Sequence, residues 1–249
     1  PPARERHMND TFGLVIIGDE ILIGNREDSH LAHFKQLLHH KGLRLSRCWL
    51  LPDEETSLID HLSFSMTQAD PVFVCGGIGA TPDDLTRACA AAAADVPLAL
   101  HPEAVALIEE RYGMAARPNR IQMANLPQGA KLIPNPYNQI PGFSLNLHYF
   151  LPGFPQMAWP MAEWILDEYY PANNLTLNER TLQVLDTPES ALVDIMKRFN
   201  ERFPGIKLFS LPVLGENGYV ELGIRGRGDL GQAFMGLQES LRAKQIPFR

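Results

Sequence analysis

The chain has 249 residues, 45% of them hydrophobic and 20% charged, with a formal net charge of -7 and a sequence pI of about 5.6. That size allows one large domain or two smaller ones, and the acidic balance excludes the basic face of a nucleic-acid binder in favour of a small-molecule ligand. Apolar runs fall short of the roughly 18 residues a membrane helix needs, and PPARERHMND lacks the apolar core of a signal peptide, so no membrane partner and a cytoplasmic location are expected.

Residues 1–10 read as a disordered tail. From Thr11 to about Tyr170, short apolar or β-branched runs alternate with helical patterns, the signature of an α/β domain with a mostly parallel sheet flanked by helices. GLVIIG, 13–18, reads as a buried strand, and Leu31, Phe34, Leu37 and Leu38 then recur at helical spacing until Gly42 supplies a stop. LRLSRCWLL, 43–51, is a second strand, a helix is expected over Glu55–Gln68, and PVFVC, Pro71–Cys75, is a third strand. That strand delivers the chain into GGIGATPDDLTRA, 76–88. The run ACAAAAA, 88–94, reads as a close-packing helix, since alanine is the best helix former. Proline and glycine then become dense over 126–155, NLPQGAKLIPNPYNQIPGF followed by FSLNLHYFLPGFP, which reads as ordered loops around a pocket. A helix with Met157, Met161, Trp164 and Ile165 closes the domain, and PANN, 171–174, reads as a linker. The remainder, 175–249, reads strand, helix, strand, strand, helix: a small α+β domain. Asn217-Gly218 marks a turn between its two adjacent strands, and Thr187-Pro188 a helix start. Cys48, Cys75 and Cys89 form no CxxC pair, so buried thiols are expected rather than disulfides or zinc.

The glycine loop fits neither common nucleotide fingerprint: GxGxxG fails at Pro82, and GxxxxGK[ST] lacks both lysine and spacing. Two readings of its acids stay open. With Thr81 as N-cap and Pro82 at the first helical position, Asp84 stands third, where a carboxylate completes a capping box. Alternatively, backbone N–H groups hold a phosphate while Asp83 or Asp84 holds a divalent cation. Two further acidic turns follow the first and second strands: Asp19 and Glu20 in GDEILIG, and Asp53 in LPDEE. Strand ends of a parallel sheet converge on one crevice, so these acids suit metal-assisted phosphate chemistry. His39 and His40 read as solvated.

In order, GDEILIG, LPDEE, GGIGATPDDLTRA, RPNRIQMANLP, NPYNQIPGF and LPGFP resemble the molybdopterin-binding domain superfamily, most closely the amino-terminal part of the competence/damage-inducible protein A family. The resemblance spans about Thr11–Tyr170, and the second module looks like the smaller domain that follows in that family. It implies a molybdopterin-binding-like domain with metal-dependent (Mg, Mn or Co) hydrolysis of ADP-ribose or a related dinucleotide. The alternative is a binding or transfer module for molybdopterin or its adenylylated form; the ligand is thus a nucleotide or a pterin phosphate. By motif position it implies Asp84 and Asp53 as catalytic residues and Asp19, Glu20 and Asp84 as metal ligands. Gly76, Gly77, Gly79, Thr81 and Thr86 would shape the ligand loop, joined by the polar cluster Asn119, Arg120 and Gln122 and by Pro152, Gly153 and Pro155 of LPGFP. A homodimer is consistent with the resemblance. Asn138-Gln139 stands where relatives tend to carry Gly-Thr, and Ser29-His30 where a Thr-Asn pair is common. The sequence ends at Arg249 without the carboxyl-terminal amidohydrolase domain of longer relatives, so deamidation of pyridine nucleotides is not expected of it.

Overall fold

A computed structural model describes residues 10–171, 177–215 and 218–249; the tail 1–9, most of the linker and Asn217 lie outside them. The chain divides into two compact units, Pro1–Ala172 and Asn173–Arg249.

In the first unit, β1 (Thr11–Ile17) is followed by the one-turn helix α1 (Asp19–Leu22), α2 (His30–His40), β2 (Arg44–Leu51), α3 (Glu55–Met66) and β3 (Val72–Cys75). Then come α4 (Thr86–Ala93), β4 (Leu98–Leu100), α5 (Pro102–Tyr112), β5 (Asn125–Pro127), β6 (Lys131–Ile133), β7 (Gly142–Leu145), β8 (His148–Leu151) and α6 (Pro155–Tyr169). Six strands form one sheet in the order β2-β1-β3-β8-β7-β6. The first four are mutually parallel, while β7 and β6 run antiparallel to their neighbours. Strand alternation divides the apolar residues between two cores. Val15, Ile17, Val72, Val74 and Phe150 face α3, α4 and α5 through Leu58, Leu62, Cys89, Ala90 and Ile108. Phe12, Leu14, Phe73, Tyr149 and Leu151 face α2 and α6 through Phe34, Leu38, Met161 and Ile165. Covering both faces explains why β1 and β3 read as continuous apolar runs rather than alternating ones.

Several expectations change. Leu31, at helical spacing with the core residues of α2, is exposed, because it falls beyond the covered stripe. Cys48 is exposed too, since β2 is a sheet edge whose alternation turns it outward; Cys75 and Cys89 are buried. The stretch read as loop, FSLNLHYFL, is the hairpin β7–β8, closed by Asn146 and Leu147 at φ 47° and 61°. Both central residues having positive φ makes this the two-residue turn that matches strand twist.

In the second unit, β9 (Leu177–Leu185), a 3-10 turn (Glu189–Leu192), α7 (Val193–Arg202), β10 (Lys207–Val213), β11 (Tyr219–Arg227) and α8 (Gly231–Ala243) follow the expected order. The antiparallel sheet runs β10-β11-β9, and Leu182, Val184, Leu222 and Ile224 pack with Ile195, Phe199, Leu237 and Leu241 of the helices. Thr187 does not cap the helix: its hydroxyl donates back to the carbonyl of Leu185 at 2.8 Å, and Pro188 opens the 3-10 turn instead.

Candidate active site

β1, β3 and β8 are parallel neighbours, so the loops after them open on the same sheet edge, with the loop after β2 beside them. They enclose a cavity of about 480 Å³. Its most constrained wall is the glycine loop. Gly76, at φ 119°, passes so close to β1 that a Cβ would stand 2.4 Å from the carbonyl oxygen of Ile17. Gly77, at φ 66°, leaves room for the hydroxyl of buried Thr86, which a Cβ would approach to 2.2 Å. Both positions combine a left-handed backbone with missing space, so glycine is required twice over. Thr86 sits beneath the loop rather than in the cavity: its Oγ1 donates to the Gly76 carbonyl at 3.0 Å, and its N–H to that of Gly77 at 3.0 Å.

Asp84 closes this loop from the other side. Its Oδ1 accepts from the Gly79 N–H at 2.8 Å, and its Oδ2 accepts from the Thr81 N–H at 2.8 Å and from the Thr81 hydroxyl. The helix begins only at Thr86, so Thr81 is no N-cap and Asp84 completes no capping box. Its oxygens turn back to the loop because the chain needs two further residues, Asp84 and Leu85, to reach the axis of α4. Buried Arg87, which nothing in the sequence singled out, donates from its guanidinium to the carbonyls of Ile78 and Gly79. Desolvation lowers its pKa, and the nearby Asp84 carboxylate opposes that shift.

The acidic turns meet this wall. The Asp19 N–H donates to Asp53 Oδ2 at 3.1 Å, and the Asp53 N–H donates to Asp19 Oδ1 at 3.2 Å, tying the turns after β1 and β2 together. Asp53, Glu20, Asp83 and Asp84 line the cavity; Asp19 does not. Burial raises the Asp53 pKa, and the charges of Asp19, Glu20 and Asp83 add to that against the Asp19 N–H bond. Asp83 is shifted the other way, its hydrogen bond with Thr81 lowering its pKa. The expected ligand set Asp19, Glu20 and Asp84 is not assembled, because Asp19 lines no part of the cavity and Asp84 commits both oxygens to the N–H groups of Gly79 and Thr81. Among the described residues no three His, Cys, Asp or Glu are grouped to hold a metal ion.

The LPGFP loop after β8 forms the facing wall, with Pro152, Gly153 and Pro155 all lining the cavity. A Cβ on Gly153 would lie in ordinary contact with the Cα of Gly76, at 3.4 Å, so the two loops run about a methyl group apart. His30 fixes this wall from α2: its Nε2 donates to the Gly153 carbonyl at 3.0 Å, and its Nδ1 accepts from the Trp159 indole at 3.3 Å. Those partners require the neutral ring, consistent with a pKa lowered by burial.

At the cavity's remaining side stand Met123, Asn135, Asn138, Ile140 and Met157. Here the sequence reading chose the wrong members of a correct neighbourhood. Asn119, Arg120 and Gln122 are exposed and line no part of the cavity. Their segment is a 3-10 turn at Arg120–Ala124, in which Arg120 bonds the Ala115 carbonyl and lies over the Tyr112 ring, and Gln122 bonds Pro118 and Asn125. Only Met123 from that turn reaches the cavity.

Fold and site together define an α/β domain with a lysine-free glycine loop and converging acids at the carboxyl edge of its parallel strands. Residues 13–172 match the family described as "Probable molybdopterin binding domain", and the chain belongs to it. A CinA-like protein of Citrifermentans bemidjiense is 32% identical over 189 residues, covering 73% of this chain and 46% of that protein. Protein PAE0875 of Pyrobaculum aerophilum is 28% identical, covering 76% of this chain and 75% of its own length. The crystal structure of the protein CinA from Thermoplasma acidophilum superposes with a TM-score of 0.60 at 25% identity, covering 65% of this chain and 98% of that one. The chain spans about half the length of the CinA-like proteins it matches.

Proposed function

We propose that the first unit hydrolyses the diphosphate bond of a nucleoside diphosphate compound such as ADP-ribose with the help of a divalent cation. The observation that carries this is the meeting, in one cavity, of a glycine loop without lysine and an excess of carboxylates: Glu20, Glu27, Asp28, Asp53, Asp83 and Asp84 against Arg26, which pairs with Glu20 at 3.8 Å. A loop of this shape presents N–H groups to phosphate oxygens. The acids facing it would repel that phosphate unless a cation lay between them. The donor set fits such a cation: magnesium-type ions keep several waters and use one or two carboxylates plus substrate phosphates rather than a protein cage. Asp53 and Glu20 are the side chains that would hold it. When bound, such a cation would supply charge neutralisation to the phosphates and a more acidic water.

Within that reading the chain's residues divide the work. Asp53, with its raised pKa, is placed to hold the cation or to take a proton from the attacking water. Asp84 is a positioning residue, since three hydrogen bonds leave little of its acceptor capacity free. The main-chain N–H groups of the loop other than those of Gly76, Gly79 and Thr81, which are already bonded, orient the phosphate. The test is incubation of the protein with ADP-ribose and Mg, Mn or Co, following AMP by chromatography. AMP formation that falls about 100-fold or more in Asp53→Asn supports the assignment. Equal AMP from wild type and Asp53→Asn removes Asp53 from the chemistry, and no AMP with any of the metals removes hydrolysis of ADP-ribose.

The family description favours a second reading, binding or transfer of molybdopterin or its adenylylated form through the same loops. Pterin fluorescence retained by the purified protein, without AMP release, selects it.

A further inference from the structure

Asn135 is 4% exposed and lines the cavity, and its two amide atoms are treated unequally. Oδ1 accepts the N–H of Tyr137 at 3.0 Å, whereas Nδ2 is buried with no partner. Three residues on, Asn138 repeats the device: its Oδ1 accepts the N–H of Ile140 at 2.9 Å, and its Nδ2 meets only the Met157 thioether, at 3.3 Å. Both side chains thus form turns with the backbone two residues ahead. Those turns fix which way each amide points, because a flipped amide would set a donor against a donor. The result is a pair of side chains whose oxygens are committed and whose nitrogens are unpaired or held only by sulfur, a weak acceptor.

An unpaired buried donor costs free energy in the empty protein, and recovers it when a ligand supplies an acceptor. Asn135 is already dehydrated, so donating to a ligand requires no further loss of water on the protein's side. Around the two amides stand Met123, Ile140 and Met157, apolar and, in the methionines, conformationally adaptable surfaces suited to a flat ring. The glycine loop offers N–H groups for phosphate; this side offers no cation, only amide donors and apolar contact.

We propose that Asn135, seconded by Asn138, recognises the heterocycle of the ligand, donating to a ring nitrogen or keto oxygen while the phosphates lie on the glycine loop. This rests on the phosphate-compound reading above and adds to it a specificity-determining residue. It assigns the substrate class as a phosphate compound carrying an aromatic heterocycle with a free acceptor edge, not a bare sugar phosphate or diphosphate.

The test uses two probes, ADP-ribose and ribose 5-phosphate, titrated calorimetrically into wild type, Asn135→Asp and Asn135→Ala with Ca in place of Mg, AMP being followed to show that no turnover contributes heat. Aspartate keeps an oxygen for the Tyr137 N–H and so preserves the turn, while replacing the donor by an acceptor. Alanine removes both without adding charge. In wild type ADP-ribose binds more tightly than ribose 5-phosphate. In each variant that preference falls about 10- to 100-fold, with ribose 5-phosphate affected equally little by alanine and only by the added charge with aspartate. A preference that survives in both variants overturns the assignment, as does a wild type that binds the two probes alike, which still leaves the phosphate site standing. Binding of neither probe overturns the phosphate-compound reading itself, and the assignment with it. Circular dichroism and thermal midpoints of the variants separate lost recognition from a collapsed turn: loss of both probes together with a lowered midpoint counts against the proposal.

Discussion

The glycine loop after β3 and the acidic turns after β1 and β2 face each other across one cavity, yet they are built on opposite terms. The loop is internally complete: Thr86 bonds it from below, Arg87 takes up its carbonyls, and Asp84 gathers the N–H groups of Gly79 and Thr81. The turns are tied by two backbone-to-carboxylate bonds and by the Gly18 N–H to the Leu51 carbonyl at 3.1 Å, and Asp53 resists ionisation first because it is partly buried, with the charges of Asp19, Glu20 and Asp83 adding to that. One side is already arranged for its ligand, and the other carries an excess of negative charge that Arg26 offsets only in part. Carboxylates close in sequence can therefore serve opposite ends: Asp84 as part of the scaffold, Asp53 as part of the chemistry.

Three measurements bear on that contrast. The largest effect is expected at Gly76→Ala, which forces a side chain into φ 119° with its Cβ against the Ile17 carbonyl; about 3 kcal/mol of stability should be lost in urea unfolding. A loss below about 1 kcal/mol means the loop is not the rigid wall described. Asp84→Asn comes next. It sets an amide donor against N–H groups, and about 2 kcal/mol of stability should go with it, together with ligand binding. Asp53→Asn is the counterpart and the smallest in stability, within about 0.5 kcal/mol of wild type, because the group is only partly buried and solvent screens its charge. Its sign is favourable. A carboxyl whose pKa is raised on folding contributes stability only in acid, and that contribution disappears as pH rises through the folded value, so an amide does slightly better at neutral pH. If both Asn variants destabilise equally, the division of labour between the two acids is wrong.

Much of this was legible before any coordinates. The buried runs of β1 and β3, the stop at Gly42 and the convergence of strand-end acids follow from periodicity and from the geometry of parallel sheets, which act on many residues at once. What escaped was decided by single hydrogen bonds. Thr-Pro-Asp-Asp has the composition of a helix start, and only the distance from Asp84 to the Gly79 N–H shows that the carboxylate serves the loop. Arg87 sits in the same motif, but its direction depends on how the loop folds over it. Asn119, Arg120 and Gln122 form a polar cluster in sequence, and a 3-10 turn carries them outward while Met123 turns in. Of the paired asparagines, Asn138 showed only as a departure from the family's motif and Asn135 not at all, since an amide held by the backbone two residues on looks in sequence like any other turn residue.

The contact between Gly76 and Gly153 has a mechanical consequence. Two rims of the cavity, rooted in adjacent parallel strands, run about a methyl group apart at Gly76 and Gly153 and are tied there by the Gly76 N–H donating to the Leu151 carbonyl at 3.0 Å. Neither can swing open by itself. The cavity's mouth must therefore widen, if it widens at all, at the acidic turns or at the asparagine segment, and amide exchange at residues 76 and 153 should slow in concert when a ligand enters.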